Sequence, residues 1–316
     1  MNQKTKNLIS ITILMLFLII IAISNSLKGN NKKSNAFDNL IIVPKEYNSE
    51  KIYFDYSKEK IEEYKAYKFD ENEIIMTKRD EGYVYNIADI SFYGLYSYSK
   101  YIEDNDKNDY EIAKKHADYL IEIQNKDDGG FYYEFEYKVP GTAEKLEDKW
   151  ISASGQGIAL SLLSRIYSVE KDEKYLNSCL LGLKPFAVDV QDGGLKADLF
   201  GHAFYEEYPT KKSNYSLNGL LLSSIGVHDL YEISKNETAL EIYKTAIETL
   251  KFALPFFDYD NISLYNLGFI NDYKNNKCAI EKYHIRNIAQ LEIINQFEKD
   301  DEIDFYISKW KMYVKN

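Results

Sequence analysis

The sequence has little of what builds the commoner kinds of site. Two cysteines in 316 residues, Cys179 and Cys278, cannot form a disulfide framework; no CxxC or other zinc-type spacing occurs, and one disulfide or two free thiols both stay open. The four histidines, at 116, 202, 228 and 284, form no HExxH pattern, so no metal site is expected. No GxGxxG or GxxxxGK run exists, so the glycine pairs at 129–130 and 193–194 read as turns after helices and no nucleotide cofactor is expected. An excess of basic charge is absent too. The net charge of -11 argues against nucleic acid, which needs clustered Lys and Arg to neutralise phosphates. It does not exclude an anionic small ligand, since a site can be locally basic. Proline is scarce, at 5, while Lys, Asn, Ile and Tyr abound, a bias of AT-rich prokaryotic genomes.

What is present begins with apolar content of 45%, enough for a sizeable core. Residues Leu8 to Leu27 carry no charge. A helix of that length spans about 30 Å, one bilayer core. Lys4 and Lys6 precede it, which favours an inside N-terminus. A cleaved signal peptide competes, but Ala22-Ile23-Ser24 is a poor cleavage site. The expectation is a single-pass membrane protein: a tip and transmembrane signal-anchor over 1–30, a linker and short, possibly β, extension over 31–80, and an extracytoplasmic domain over 81–316.

That domain carries a repeat. Lys107-Asn108-Asp109, Lys171-Asp172-Glu173, Lys235-Asn236-Glu237 and Lys299-Asp300-Asp301 share the pattern K-[ND]-[DE], each 64 residues after the last. Asn and Asp are good N-caps and the following acid complements the helix dipole, so each motif is expected to start a helix. Ala239, Tyr243, Ala246, Leu250 and Ala253 then form one amphipathic face. Residues 151–168 and 214–232, ahead of two of the motifs, are apolar or small nearly all round, the mark of buried helices. Four pairs of an inner and an outer helix predict an all-α fold, an α/α barrel or toroid, closed or nearly so; an open α-solenoid shares the same logic. Inner helices are expected to start near Asn86, Ile151, Asn214 and Glu281. The outer-to-inner connections, 125–150, 189–213 and 254–279, are long and rich in Tyr, Phe and Gly, which points to function. By alternation they share one rim with the N-termini of the inner helices, whose dipoles favour anions.

The middle connection contains YEEYPT, residues 205–210. Two chemistries fit its acids. A glycoside hydrolase needs two carboxylates, which Glu134, Glu136, Glu206 and Glu207 could supply. Proton abstraction next to a carboxylate needs a base, a cation for the substrate acid, and an acid on the opposite face; tyrosine serves if its pKa is matched to the task.

Several segments resemble the C-terminal helical domain of the D-glucuronyl C5-epimerases: WISASGQGIALSLLSRIY (150–167), LKPF (183–186), YEEYPT (205–210), SLNGLLLSSIGVHDLY (216–231), YHIRNIAQL (283–291), and Trp310 with Tyr313. The resemblance implies an α/α barrel that inverts C5 of glucuronate residues in an acidic polysaccharide to give iduronate, with tyrosines as acid and base and no cofactor. It places Tyr208 and Tyr283 as the catalytic pair, Glu207 beside the first, and Tyr265 as a further active-site phenol. Glu206, Asn218, Lys211, His284 and Arg286 are the expected substrate-binding residues. The chain departs from the family where a Y-D-L-R run becomes Tyr265-Asn266-Leu267-Gly268, which removes an arginine, and where a second histidine becomes Asn287. Arg286, three residues after Tyr283, sits on the same helix face and is the candidate replacement, with Lys196, Lys211, Lys212 and Lys282 as others. Without the resemblance, Tyr265 and Tyr283 read as core or rim aromatics. A lyase, which starts with the same proton loss, a hydrolase, and a non-catalytic glycan-binding protein are the rival readings. A homodimer is left open.

Overall fold

A computed structural model describes residues 68–80, 82–271 and 277–314. Among the described residues eight helices pair into four hairpins: Ile87–Asp104 (α1) with Lys107–Ile123 (α2), Ala153–Glu170 (α3) with Glu173–Leu181 (α4), Leu217–Ser234 (α5) with Glu237–Phe257 (α6), and Glu281–Phe297 (α7) with Asp301–Val314 (α8). The turn inside each of the first three hairpins is tight because Asn105, Lys171 and Lys235 take left-handed backbone at φ 55°, 56° and 50°. Asp172 and Asn236 then cap α4 and α6, and Asp300 accepts from the amides of Glu302 and Ile303 at the start of α8. The cap of α2 is Asp106, two residues ahead of the expected Asn108. Asp106 is already extended directly after the left-handed turn at Asn105, so the chain enters the helix at the first carboxylate it meets.

The odd-numbered helices form the inner layer. α3 and α5 are the most enclosed, with a run of buried residues from Ala153 to Ile166 in one and from Leu217 to Leu230 in the other. They approach backbone to backbone: a Cβ on Gly226 would lie 1.8 Å from the Gly157 carbonyl oxygen. Arg165 and Asp229 pair across them at 2.7 Å in complete burial, an arrangement whose rupture leaves an uncompensated charge. α1 packs on α3 and α7 on α5, but among the described residues α7 has no comparable packing on α1. Among the described residues the inner helices follow one another in an arc, α1 to α3 to α5 to α7.

The four helical hairpins agree with the expected α/α architecture, and the expected fold class needs correction on one point. Between the hairpins each long connection carries short β-structure. Lys68–Phe69 (β1), Ile75–Arg79 (β2) and Gly82–Val84 (β3) form an antiparallel sheet ahead of α1. Tyr137–Lys138 (β4) pairs with Lys145–Leu146 (β5), and Lys196–Leu199 (β6) with His202–Tyr205 (β7). Ile262–Asn266 (β9) lies between Asp258–Tyr259 (β8) and Cys278–Ala279 (β10). These strands are too short for alternation to announce them. The correction is the membrane-spanning helix. No helix among the described residues is long and apolar enough to cross a membrane, and the run Leu8 to Leu27 lies outside the described residues.

All four sheets stand at the rim where the inner helices begin. The first is tied there by Ile75, whose amide donates to His116 Nε2 at 3.4 Å, and by the Thr77 hydroxyl on the Asp89 carboxylate in the first turn of α1.

Candidate active site

YEEYPT begins as β7 ends and crosses the starts of α3 and α5. The amide of Ala153 donates to the Glu206 carbonyl at 2.9 Å, and the amide of Glu206 to Leu195 at 2.8 Å. Consecutive residues therefore point in different directions. The Glu206 side chain turns inward, fully buried, and both its oxygens accept from the Tyr215 amide at 3.0 and 3.1 Å. Burial pushes its pKa up to about 8 against the pull of the Tyr215 and Asn214 amides. Glu206 is a bracket for the loop.

Glu207 turns toward the phenols. Its Oε2 accepts from the Ser216 hydroxyl, the N-cap of α5, and from Tyr265 Oη at 3.2 Å. Gly219 makes room: a Cβ there would fall 2.4 Å from that of Glu207. Tyr265, on β9, lies 3.1 Å from Tyr208, hydroxyl to hydroxyl. Because the Tyr265 proton is committed to the Glu207 carboxylate, the proton between the phenols belongs to Tyr208. A directed chain results, Tyr208 to Tyr265 to Glu207. Burial first, then the Glu207 charge, holds both phenols well above their ordinary pKa, so both stay protonated at neutral pH. The expected direct unit of Tyr208 with Glu207 is thus bridged by Tyr265.

Tyr283, in the first turn of α7, places its ring 4.5 Å from that of Tyr265. On the other side Tyr137 of β4 stacks on Tyr208 at 5.3 Å, and on Trp150 at 5.7 Å. Trp150 in turn stacks on Tyr133 at 4.2 Å and donates its Nε1 proton to the Phe135 carbonyl at 2.9 Å. Side chains from the three long connections and from α7 thus make one continuous aromatic wall.

Of the expected substrate-binding residues, Arg286 lies beside this wall, its Cζ 5.3 Å from the Tyr283 ring centre, and Lys282 Nζ lies 5.1 Å from the same ring. His284 is turned elsewhere. Its Nδ1 accepts from the Ser263 amide at 2.9 Å and its ring stacks on Tyr313, so it braces β9 against α8. Burial lowers its pKa and keeps it neutral. Asn218 is taken by Gln290, whose Nε2 donates to it at 2.9 Å and links α5 to α7. Lys211 and Lys212 are exposed, and Lys196 pairs with Asp189 at 3.1 Å. Glu134 and Glu136 are exposed, Glu136 on Lys145 at 2.6 Å, so neither joins Glu207 as a second carboxylate. Where the resembled family has an arginine, the Gly268 amide donates to Asn266 at 3.1 Å, and Asn266 reaches the Pro140 carbonyl at 3.3 Å. No cluster of three His, Cys, Asp or Glu able to hold a metal occurs among the described residues.

Sequence reasoning missed Tyr137 and Arg79. Arg79, at the end of β2, lies with its Cζ 5.1 Å from the Tyr137 ring centre and 5.0 Å from that of Phe135. The one available signal was rarity: the chain has three arginines, 79, 165 and 286, among 39 basic residues, and only Arg165 is locked in the core.

The sequence pattern of the D-glucuronyl C5-epimerase C-terminus matches residues 124–312. The chain belongs to this family. Over 210 residues it is 32% identical to a D-glucuronyl C5-epimerase of Caenorhabditis elegans, covering 63% of this chain and 34% of that protein. The chain therefore spans about a third of the length of that relative. It is also 25% identical over 222 residues to an uncharacterized protein of Methanocaldococcus jannaschii, covering 69% of this chain and 66% of that one. Among solved structures, unsaturated glucuronyl hydrolase from Bacillus sp. GL1 is similar at a TM-score of 0.48 and 18% identity, over 72% of this chain and 61% of that chain. The unsaturated glucuronyl hydrolase of Streptococcus agalactiae gives 0.47 and 16%, over 72% and 57%. The segments YEEYPT and YHIRNI of this chain fall inside the matched range and meet at the aromatic wall.

Proposed function

We propose that the protein is a uronate C5-epimerase that converts D-glucuronate to L-iduronate within an acidic polysaccharide. The observation that carries this reading is the directed chain from Tyr208 through Tyr265 to Glu207, with Tyr283 beside it. A neutral phenol is too weak a base alone. In the chain, Tyr208 takes the C5 proton as its own passes to Tyr265 and that of Tyr265 to Glu207. The C5–H electron pair moves into the substrate carboxylate to form an enediolate. Tyr283 then protonates C5 on the opposite face, and the enediolate collapses to the inverted uronate. Only protons are exchanged, and Glu207 and Tyr283 are reset through solvent. Arg286, beside Tyr283, is the cation for the developing charge.

A hydrolase is less well supported, since Glu207 alone among the candidate carboxylates faces the phenols. A lyase shares the first step and differs in expelling the O4 substituent, which ultraviolet absorbance of the product reports. The test is incubation with glucuronate polymers in D2O, read by NMR at C5. Deuterium uptake with iduronate signals, both lost in Tyr208→Phe, supports the epimerase. Binding without uptake leaves a glycan-binding protein, and new reducing ends a hydrolase.

A further inference from the structure

The aromatic wall has an arginine at each end. From Arg79 the order is Tyr137, Tyr208, Tyr265, Tyr283 and Arg286, with ring-centre separations of 5.3 Å from Tyr137 to Tyr208 and 4.5 Å from Tyr265 to Tyr283. In a chain with three arginines and a net charge of -11, this placement concentrates scarce positive charge on one row. Arg79 is the more unusual of the two. Its Nε is buried with no hydrogen-bond partner, and no carboxylate of the described residues pairs with it. A guanidinium seated over the Phe135 and Tyr137 rings keeps its in-plane donors for a planar oxyanion. It stands one ring beyond Tyr208, whereas Arg286 adjoins the phenol assigned to the opposite face of C5.

We propose that Arg79, on its Phe135–Tyr137 seat, is a second anion subsite that binds the acidic group of the next uronate along the chain, one sugar beyond the neighbour of the one that reacts. This rests on the uronate reading of the site. It deepens that reading by assigning the contact that holds a second charge of the acidic chain. The intervening sugar lies along the half-buried Tyr137, which the buried Trp150 backs from behind. Arg79 is then a specificity residue: it selects chain length and charge, and takes no part in proton transfer.

The test is a binding titration, which needs no turnover. Full-length protein, Arg79→Gln, Arg79→Lys and Arg286→Gln are titrated with a polymer of alternating glucuronate and N-acetylglucosamine, and with a trisaccharide bearing one glucuronate. Arg79→Gln is expected to weaken polymer binding about tenfold, the effect of losing one charge-assisted contact. It should lower the slope of log Kd against log salt by about one and leave trisaccharide binding within about twofold. Arg79→Lys should keep the salt slope, which separates charge recognition from packing of the hairpin. Arg286→Gln should weaken both ligands. Equal weakening of both ligands by Arg79→Gln, loss of the salt slope in Arg79→Lys, or no polymer binding by the wild type would overturn the subsite. Polymer binding that depends on Arg79 with no C5 exchange would keep the subsite and remove the epimerase.

Discussion

The starts of α5 and α7 occupy the same place in the 64-residue repeat and are built differently. Ser216 and Ile280 are equivalent, as are Gly219 and Tyr283. At α5 the serine caps the helix and donates to Glu207, while the glycine admits Glu207 from the connection. Ser152 and Gly155 repeat this at α3, where Gly155 admits Tyr133: a Cβ there would sit 2.4 Å from the Tyr133 hydroxyl. At α7 no side chain caps the helix, and Tyr283 fills the glycine's position with a phenol of its own. One rim position thus serves two ends: an absent side chain admits a group from the connection into the candidate site, and a present one brings a phenol of its own.

Breaking that comparison should have its largest effect at Tyr283. Tyr283→Phe is expected to cut iduronate formation about a thousandfold, the scale of a lost acid or base, with little change in melting temperature. Gly219→Ala should follow: the new methyl displaces Glu207, and a shift of about 1 Å costs on the order of a hundredfold in rate. Paired serine variants sharpen the contrast. Ser152→Ala and Ser216→Ala should each lose about 1 kcal/mol of stability in chemical denaturation as caps. Only Ser216→Ala should also slow turnover, by about tenfold, because only its hydroxyl holds Glu207. The smallest effect concerns the neighbouring acid. Burial raises Glu206 from 4.5 to about 8, so the folded state holds a proton that the unfolded chain releases earlier. Its contribution is present at low pH and is lost as pH rises through about 8. Denaturant melts across that window should show a falling stability that Glu206→Gln flattens.

The repeat was legible because helix caps are local chemistry: Asp172, Asn236 and Asp300 lie where their type and spacing put them. Asn108 was misread because Asp106, just upstream, offers the same chemistry. The short strands were not legible, since two residues such as Tyr137–Lys138 carry no period. In the site, motif resemblance picks out the phenols, but only the folded arrangement puts Tyr265 between Tyr208 and Glu207 and turns His284 toward α8. Arg79 escaped because it belongs to neither the repeat nor a quoted motif, and because contacts more than 50 residues away along the chain give it meaning.

The central claim is that C5 is served from two faces by different groups, the Tyr208 chain on one and Tyr283 on the other. Incubating Tyr283→Phe with a glucuronate polymer in D2O tests it most directly. The expected result is deuterium at C5 of glucuronate without iduronate, as proton loss and return both occur through Tyr208. Iduronate formed at the wild-type rate, or exchange that survives in Tyr208→Phe but not in Tyr283→Phe, would contradict it.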